Sequence, residues 1–316
     1  MSQISVNQPK NFLRNPLSWL SSFWNFSRPH TIIGTSLSVF ALYLIALATF
    51  KTEITFNHIT ELLGALIACL CGNIYIVGLN QLEDIKIDQI NKPYLPLASG
   101  DFSLLQGRLI VGISGVFALI IAFIFGFWLG VTVAISLIIG TAYSLPPIRL
   151  KQFPFLAALC IFTVRGVIVN LGLFLYFSNC FINTSVLVPT VWILTAFVVV
   201  FTVAIAIFKD VPDLEGDKEY NITTFTIILG KSTIFKITYG IILFCYLGII
   251  AIGFLQISNI NGWVLILSHL SLLGLLSWRS QRVDLEDKDS IARFYQFIWK
   301  LFFLEYLLFP IACFFH

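Results

Sequence analysis

Residues 62–88 read LLGALIACLCGNIYIVGLNQLEDIKID, an apolar run that passes directly into Asn80, Glu83, Asp84 and Asp88. About 20 apolar residues are what an α-helix needs to cross the hydrocarbon core of a bilayer. The acidic continuation therefore lies at the membrane's edge. The arrangement returns four spans later, where a second apolar run ends in FKDVPDLEGD (208–217).

Working outward, we read nine such runs, at about 31–49, 62–80, 108–127, 129–147, 156–178, 188–208, 233–255, 262–278 and 296–315. The chain is 58% hydrophobic and only 11% charged, far from the roughly 25% charged residues of soluble domains. Its mean hydropathy is +0.91. Only helices or closed barrels satisfy their backbone in lipid, so the expected fold is all-α, a polytopic membrane protein with nine transmembrane helices. We divide it into a polar N-terminal segment, 1–24, and a single transmembrane domain, 25–316.

Seventeen of the 19 Lys and Arg residues fall on one side of this topology, leaving Lys51 opposite and Arg165 inside the fifth span. The positive-inside rule places the N-terminus and both acidic segments in the cytosol. The basic residues thus report topology, and the net charge of +3 gives no reason to expect nucleic acid. The six cysteines lack the paired spacing of a zinc site and read as buried thiols. The first 20 residues, polar and broken by Pro9 and Pro16, resemble neither a signal peptide nor a transit peptide, which points to a bacterial or cyanobacterial chain.

Eight of the 16 acidic residues sit in the two span-end segments. On a continuous helix Asn80, Asp84 and Asp88 share one face over about 12 Å. Asp210, Asp213 and Asp217 follow at i, i+3 and i+7, with Pro212 and Gly216 expected to kink or unwind their helix. Two facing carboxylate sets suit Mg²⁺, which takes one or two carboxylates and completes its shell with water and phosphate oxygens. Lys92, Arg149 and Lys151 are on the same side and suit a diphosphate; as topology anchors they would look the same. Arg165 lies about ten residues into its span, where a lipid-facing charge is costly, so it is expected to face an internal cavity. Its partner there is a ligand, a backbone carbonyl or Asn170. Arg28 and His30 flank the entry of the first span.

These residues carry a resemblance. The motif Asn-x-x-x-Asp-x-x-x-Asp at Asn80, Asp84 and Asp88, and Asp-x-x-x-Asp at Asp213 and Asp217 with Asp210 before it, are similar to those of the UbiA superfamily of intramembrane prenyltransferases. FSRPHTIIGTSLSV (26–39), GNIYIVGLNQLEDIKIDQINKP (72–93), GTAYSLPPIRLK (140–151), VRGVIVNLGLFL (164–175) and FYQFIWKLFFLEYLLFP (294–310) resemble its homogentisate prenyltransferase branch. The resemblance implies nine helices around a central cavity opening to lipid. It implies Mg²⁺ on Asn80, Asp84, Asp88, Asp210, Asp213 and Asp217, with Asp84, Asp88, Asp213 and Asp217 catalytic. Lys92, Arg149 and Lys151 would bind diphosphate, and Arg28, His30 or Arg165 the carboxylate of an aromatic acceptor. The implied partners are phytyl diphosphate, homogentisate and the lipid bilayer; a geranylgeranyl or solanesyl donor is the alternative. The implied tunnel is aromatic and aliphatic, and the 31 Phe suit both that tunnel and lipid contact. A cation or solute transporter is the rival of another class, but transporters place their ionisable groups near the midplane, not at span ends.

Overall fold

The computed structural model describes residues 9–219, 223–256 and 260–316. Among the described residues there are nine helices long and apolar enough to cross a membrane. They are α1 (Pro29–Phe50), α2 (Phe56–Glu83), α3 (Leu104–Phe125), α4 (Phe127–Ser144), α5 (Pro154–Ile182), α6 (Pro189–Phe208), α7 (Lys231–Leu255), α8 (Gly262–Ser280) and α9 (Lys288–Phe314). Short helices sit between them on one face of the bundle, among them Ile85–Asn91 after α2 and Leu214–Glu219 after α6.

Several helices outrun the apolar stretches that announce them, because capping side chains and not hydropathy set their ends. Thr55 accepts the His58 N–H and starts α2 at residue 56. Asp287 accepts the Asp289 and Ser290 N–H groups, so α9 begins at Lys288, eight residues before the apolar run read from about 296. In the N-terminal segment, Pro16 opens a helix, Pro16–Phe26, capped by Asn15. That helix shows Leu17, Leu20 and Trp24 outward and buries Phe26 beside Phe102. Lys10 ties the preceding strand of chain to Asp101 at 2.6 Å.

Neighbouring helices pack in chain order, and α9 returns to pack on α1, closing a ring; α3 packs against α2 and α4. Close approach of α2 and α3 depends on glycine: a Cβ on Gly115 would lie 2.6 Å from the Tyr75 ring. Between α6, α7 and α9 the core is aromatic, with Phe197, Phe201, Tyr246 and Phe302 buried together. Within it His269 and Glu305, both 0% exposed, pair across α8 and α9 at 3.1 Å.

The helix of α5 is not uniform. Residues Thr163–Ile168 form a π-helical turn, which rotates Arg165 towards the interior of the ring. Such turns recur at functional sites because they re-aim a side chain without ending the helix.

Candidate active site

One cavity of about 830 Å³ occupies the ring and opens among the short helices. This lies within the range of small-molecule sites, roughly 300–1,000 Å³. All twelve residues singled out from the sequence line it: Asn80, Asp84, Asp88, Asp210, Asp213, Asp217, Lys92, Arg149, Lys151, Arg28, His30 and Arg165.

The first acidic segment does not continue α2. The helix stops at Glu83, Asp84 adopts φ −115° and ψ 16°, and a new helix runs Ile85–Asn91. The one-faced i, i+4, i+8 helix expected for Asn80, Asp84 and Asp88 is therefore corrected to two helices hinged at Asp84. At the break the Asp84 carboxylate gathers three partners. It accepts from Asn80 Nδ2 at 3.1 Å, Arg149 Nη2 at 3.1 Å and Lys151 Nζ at 2.5 Å. The second segment is unwound between Phe208 and Leu214, as Pro212 requires. Lys92 pairs with Asp213. Lys209 lies 3.5 Å from Asp210 and donates to the Tyr143 hydroxyl at 3.1 Å. The Gly216 N–H donates to Asn91 Oδ1 at 3.0 Å, joining the two acidic segments directly.

Arg28 and Arg149 both take left-handed backbone, φ 53° and φ 35°. Non-glycine residues held there cost of order 1–3 kcal/mol each, and such strain persists where surrounding structure enforces it. Here it aims both guanidiniums at the acidic segments: Arg28 Nη2 reaches Asn80 Oδ1 at 3.1 Å and lies 3.9 Å from Asp88 Oδ2.

Charges at this mouth remain incompletely matched by protein groups alone. Burial pushes the Asp88 carboxyl up, against the pull of Arg28 and Lys92, and leaves its Oδ2 buried without a hydrogen bond. Asp217 is pushed up to about 7 by burial and by the neighbouring Asp213 and Asp210. Burial lowers the Lys151 ammonium despite Asp84. Lys92, although burial opposes its charge, is raised on balance by Asp213. The Nε–H groups of Arg28 and Arg149 are also buried without acceptors. Residues with unsatisfied donors and an unsatisfied carboxylate oxygen thus line one mouth, which suits a polyanion accompanied by a hard cation. Among the described residues no three Asp, Glu, His or Cys side chains converge to hold a metal by themselves. One or two carboxylates per ion, with the remaining ligands from phosphate and water, is the coordination these residues fit.

Deeper in, the guanidinium of Arg165 stacks over the Trp299 ring at 4.8 Å and lies 5.7 Å from the Phe302 ring. The His30 ring meets the same Trp299 at 5.0 Å. No carboxylate lies within ion-pair distance of Arg165 among the described residues. Asn170 donates to the Gly166 carbonyl and accepts from Tyr306, so it is engaged elsewhere. Within that one cavity Arg28 contacts the acidic segments, whereas His30 and Arg165 both meet Trp299.

The phenylalanines do not build the cavity: none of the side chains lining it among the described residues is Phe. Its aromatic rings are those of Tyr94, Tyr143, Tyr295, Trp299 and His30, and the Phe side chains pack the core or face lipid. Lys209, Tyr143, Asn91 and Trp299 are site residues that the sequence reading missed. In sequence Lys209 reads as one of the topology-setting charges, and Tyr143 and Trp299 read as ordinary span-end aromatics.

Fold and site together define a chain of membrane-spanning helices around a cavity with a charged mouth and largely apolar walls. The model of the UbiA prenyltransferase family matches residues 36–301, and the chain belongs to that family. Homogentisate phytyltransferase of Synechocystis sp. is 57% identical over 297 residues, covering 94% of this chain and 96% of that protein. Homogentisate phytyltransferase 1 of Arabidopsis thaliana chloroplasts is 40% identical over 92% of this chain and 75% of that protein. A UbiA homolog from Archaeoglobus fulgidus, solved with GPP and Mg²⁺, superposes with a TM-score of 0.63. It covers 93% of this chain and all of that one at 17% identity, a likeness of fold.

Proposed function

We propose that this protein transfers a phytyl group from phytyl diphosphate to homogentisate, with loss of CO₂, to give 2-methyl-6-phytylbenzoquinol, the prenylated quinol of tocopherol (vitamin E) biosynthesis. The observation that carries this reading is the mouth of the cavity. Buried Arg28 and Arg149 Nε–H groups without acceptors, and the Asp88 oxygen without a hydrogen bond, suit a diphosphate accompanied by a metal ion. The high identity to a homogentisate phytyltransferase over nearly the whole chain supports the choice of substrates.

Asn80, Asp84, Asp88, Asp210, Asp213 and Asp217 would hold Mg²⁺, which when bound neutralises the diphosphate and eases departure of its bridging oxygen. Lys92, Arg149 and Lys151, joined by Lys209, take up the negative charge released as the allylic C–O bond breaks and its electron pair leaves with diphosphate. Tyr143 and Tyr295 line the cavity, and their rings would favour the cationic prenyl carbon. Walls of Val, Ile and Leu exclude water that would otherwise capture it. Arg165 holds the acceptor's carboxylate against Trp299, presenting the electron-rich ring. A ring carbon forms the new C–C bond and gives up its proton; the acetate arm loses CO₂ and gains one. By positive-inside counting the mouth would face the cytosol, and the likeness to the Synechocystis enzyme supports a cyanobacterial plasma or thylakoid membrane.

The test is kinetic. In vesicles with Mg²⁺ and saturating phytyl diphosphate, Arg165→Ala is expected to raise KM for homogentisate by about 10–100-fold, as loss of a charged hydrogen bond does. KM for the donor should not move. Wild-type homogentisate KM in the variant would remove Arg165 from this role, and wild-type protein forming no prenylated quinol would overturn the function itself.

A further inference from the structure

A second cavity, of about 580 Å³, lies in the groove between α8 and α9 on the face of the bundle that bears the acidic segments. Arg279, Arg293 and Lys300 converge on it, against one acidic side chain, Asp289. Arg293 pairs with Asp287 at 3.2 Å, but no carboxylate lies within ion-pair distance of Arg279 or Lys300 among the described residues. The walls are apolar: Leu275 and Trp278 are 40% and 49% exposed, and Phe297 joins them. Arg282 stacks on Trp278 at 4.2 Å, adding a fourth positive charge at the rim.

Charges that only set topology would project separately into the headgroup layer. These share one groove, and Lys300 lies twelve residues, about 18 Å, from the start of α9. That is about one turn inside the apolar run, where an unpaired exposed ammonium is costly. A basic pocket between membrane helices with a hydrocarbon-lined wall has the chemistry of an anionic headgroup site. We infer that the α8–α9 groove binds one anionic membrane lipid, its headgroup on Arg279, Arg293 and Lys300 and its chains along Leu275 and Phe297. Asp289, Ala292 and Gln296 line both this groove and the larger cavity. The bound lipid therefore backs the α9 wall that carries Tyr295 and Trp299, and supports it from outside. This inference rests on the groove and is independent of the reaction proposed above.

The experiment is native mass spectrometry of the full chain released from nanodiscs of phosphatidylcholine containing a minor share of phosphatidylglycerol. The wild type is expected to retain one phosphatidylglycerol and to shed phosphatidylcholine. Arg279→Gln combined with Lys300→Gln should weaken that retention on the order of 10–30-fold, while prenyl transfer in pure phosphatidylcholine vesicles stays at the wild-type level. Equal retention of both lipids by the wild type would overturn the site, and so would a variant that keeps phosphatidylglycerol as well as the wild type. Displacement of phosphatidylglycerol by geranyl diphosphate would also overturn it, making the groove a station for the donor instead.

Discussion

Asp84→Asn is expected to lower turnover by at least about 10²–10³-fold, the scale of losing one preorganised electrostatic contact to the reacting group. Asp84 is the hub of the mouth: 13% exposed, it holds both Arg149 and Lys151. Without its charge, two cations lose their counterion, and the strained backbone of Arg149 loses the contact that anchors it. The metal loses a ligand at the same time. The isosteric amide keeps the volume and the Asn80 contact, so folding should survive; Arg149 and Lys151 can turn to the water at the mouth. Asp213→Asn, which releases Lys92, should behave alike. The double variant should be little worse than either single one, because both carboxylates serve one diphosphate. Steady-state rates on protein shown to be folded by size-exclusion chromatography check this, and near-normal turnover in either single variant contradicts it.

The largest expected effect on stability lies elsewhere. His269 uses Nδ1 to donate to the Leu265 carbonyl at 2.7 Å, which directs Nε2 at both Glu305 oxygens, 3.1 and 3.2 Å away. One proton shared across this pair satisfies both side chains inside an aromatic core. Glu305→Ala leaves the buried imidazole without a counterion and its Nε2 without a partner, and opens a void between α8 and α9. Breaking one side of a buried pair costs about 3–5 kcal/mol, whereas replacing both sides by apolar residues is close to neutral. Glu305→Ala should therefore fall far below wild type in a thermal or denaturant melt, and His269→Leu with Glu305→Leu should recover most of the loss. An alanine variant as stable as the wild type would show that the pair contributes nothing.

The nine spans were legible because hydropathy over some 20 residues is a direct record of the bilayer. The site residues were legible because so few acidic side chains exist that their concentration at two span ends stands out. What stayed hidden was geometry that spacing does not encode. Asn80, Asp84 and Asp88 keep helical spacing, yet the helix breaks at Asp84, where partners arrive from residues 149 and 151. The π-turn around Arg165 leaves no mark in the pattern of apolar residues. His269 and Glu305 are 36 residues apart on different helices and meet only after packing. Of the two uses open to the phenylalanines, core and lipid contact is the one observed, while the cavity is lined by smaller side chains, hydroxyls, three Tyr and Trp299.

The most direct measurement is a product analysis on vesicles containing the wild-type protein, Mg²⁺ and ring-labelled homogentisate, with phytyl and geranylgeranyl diphosphate supplied in competition. A decarboxylated quinol carrying mainly the phytyl chain is expected, formed only when Mg²⁺ is present. A geranylgeranyl product in excess, a product that retains the carboxylate, or equal synthesis after chelation of the metal would contradict the proposed reaction.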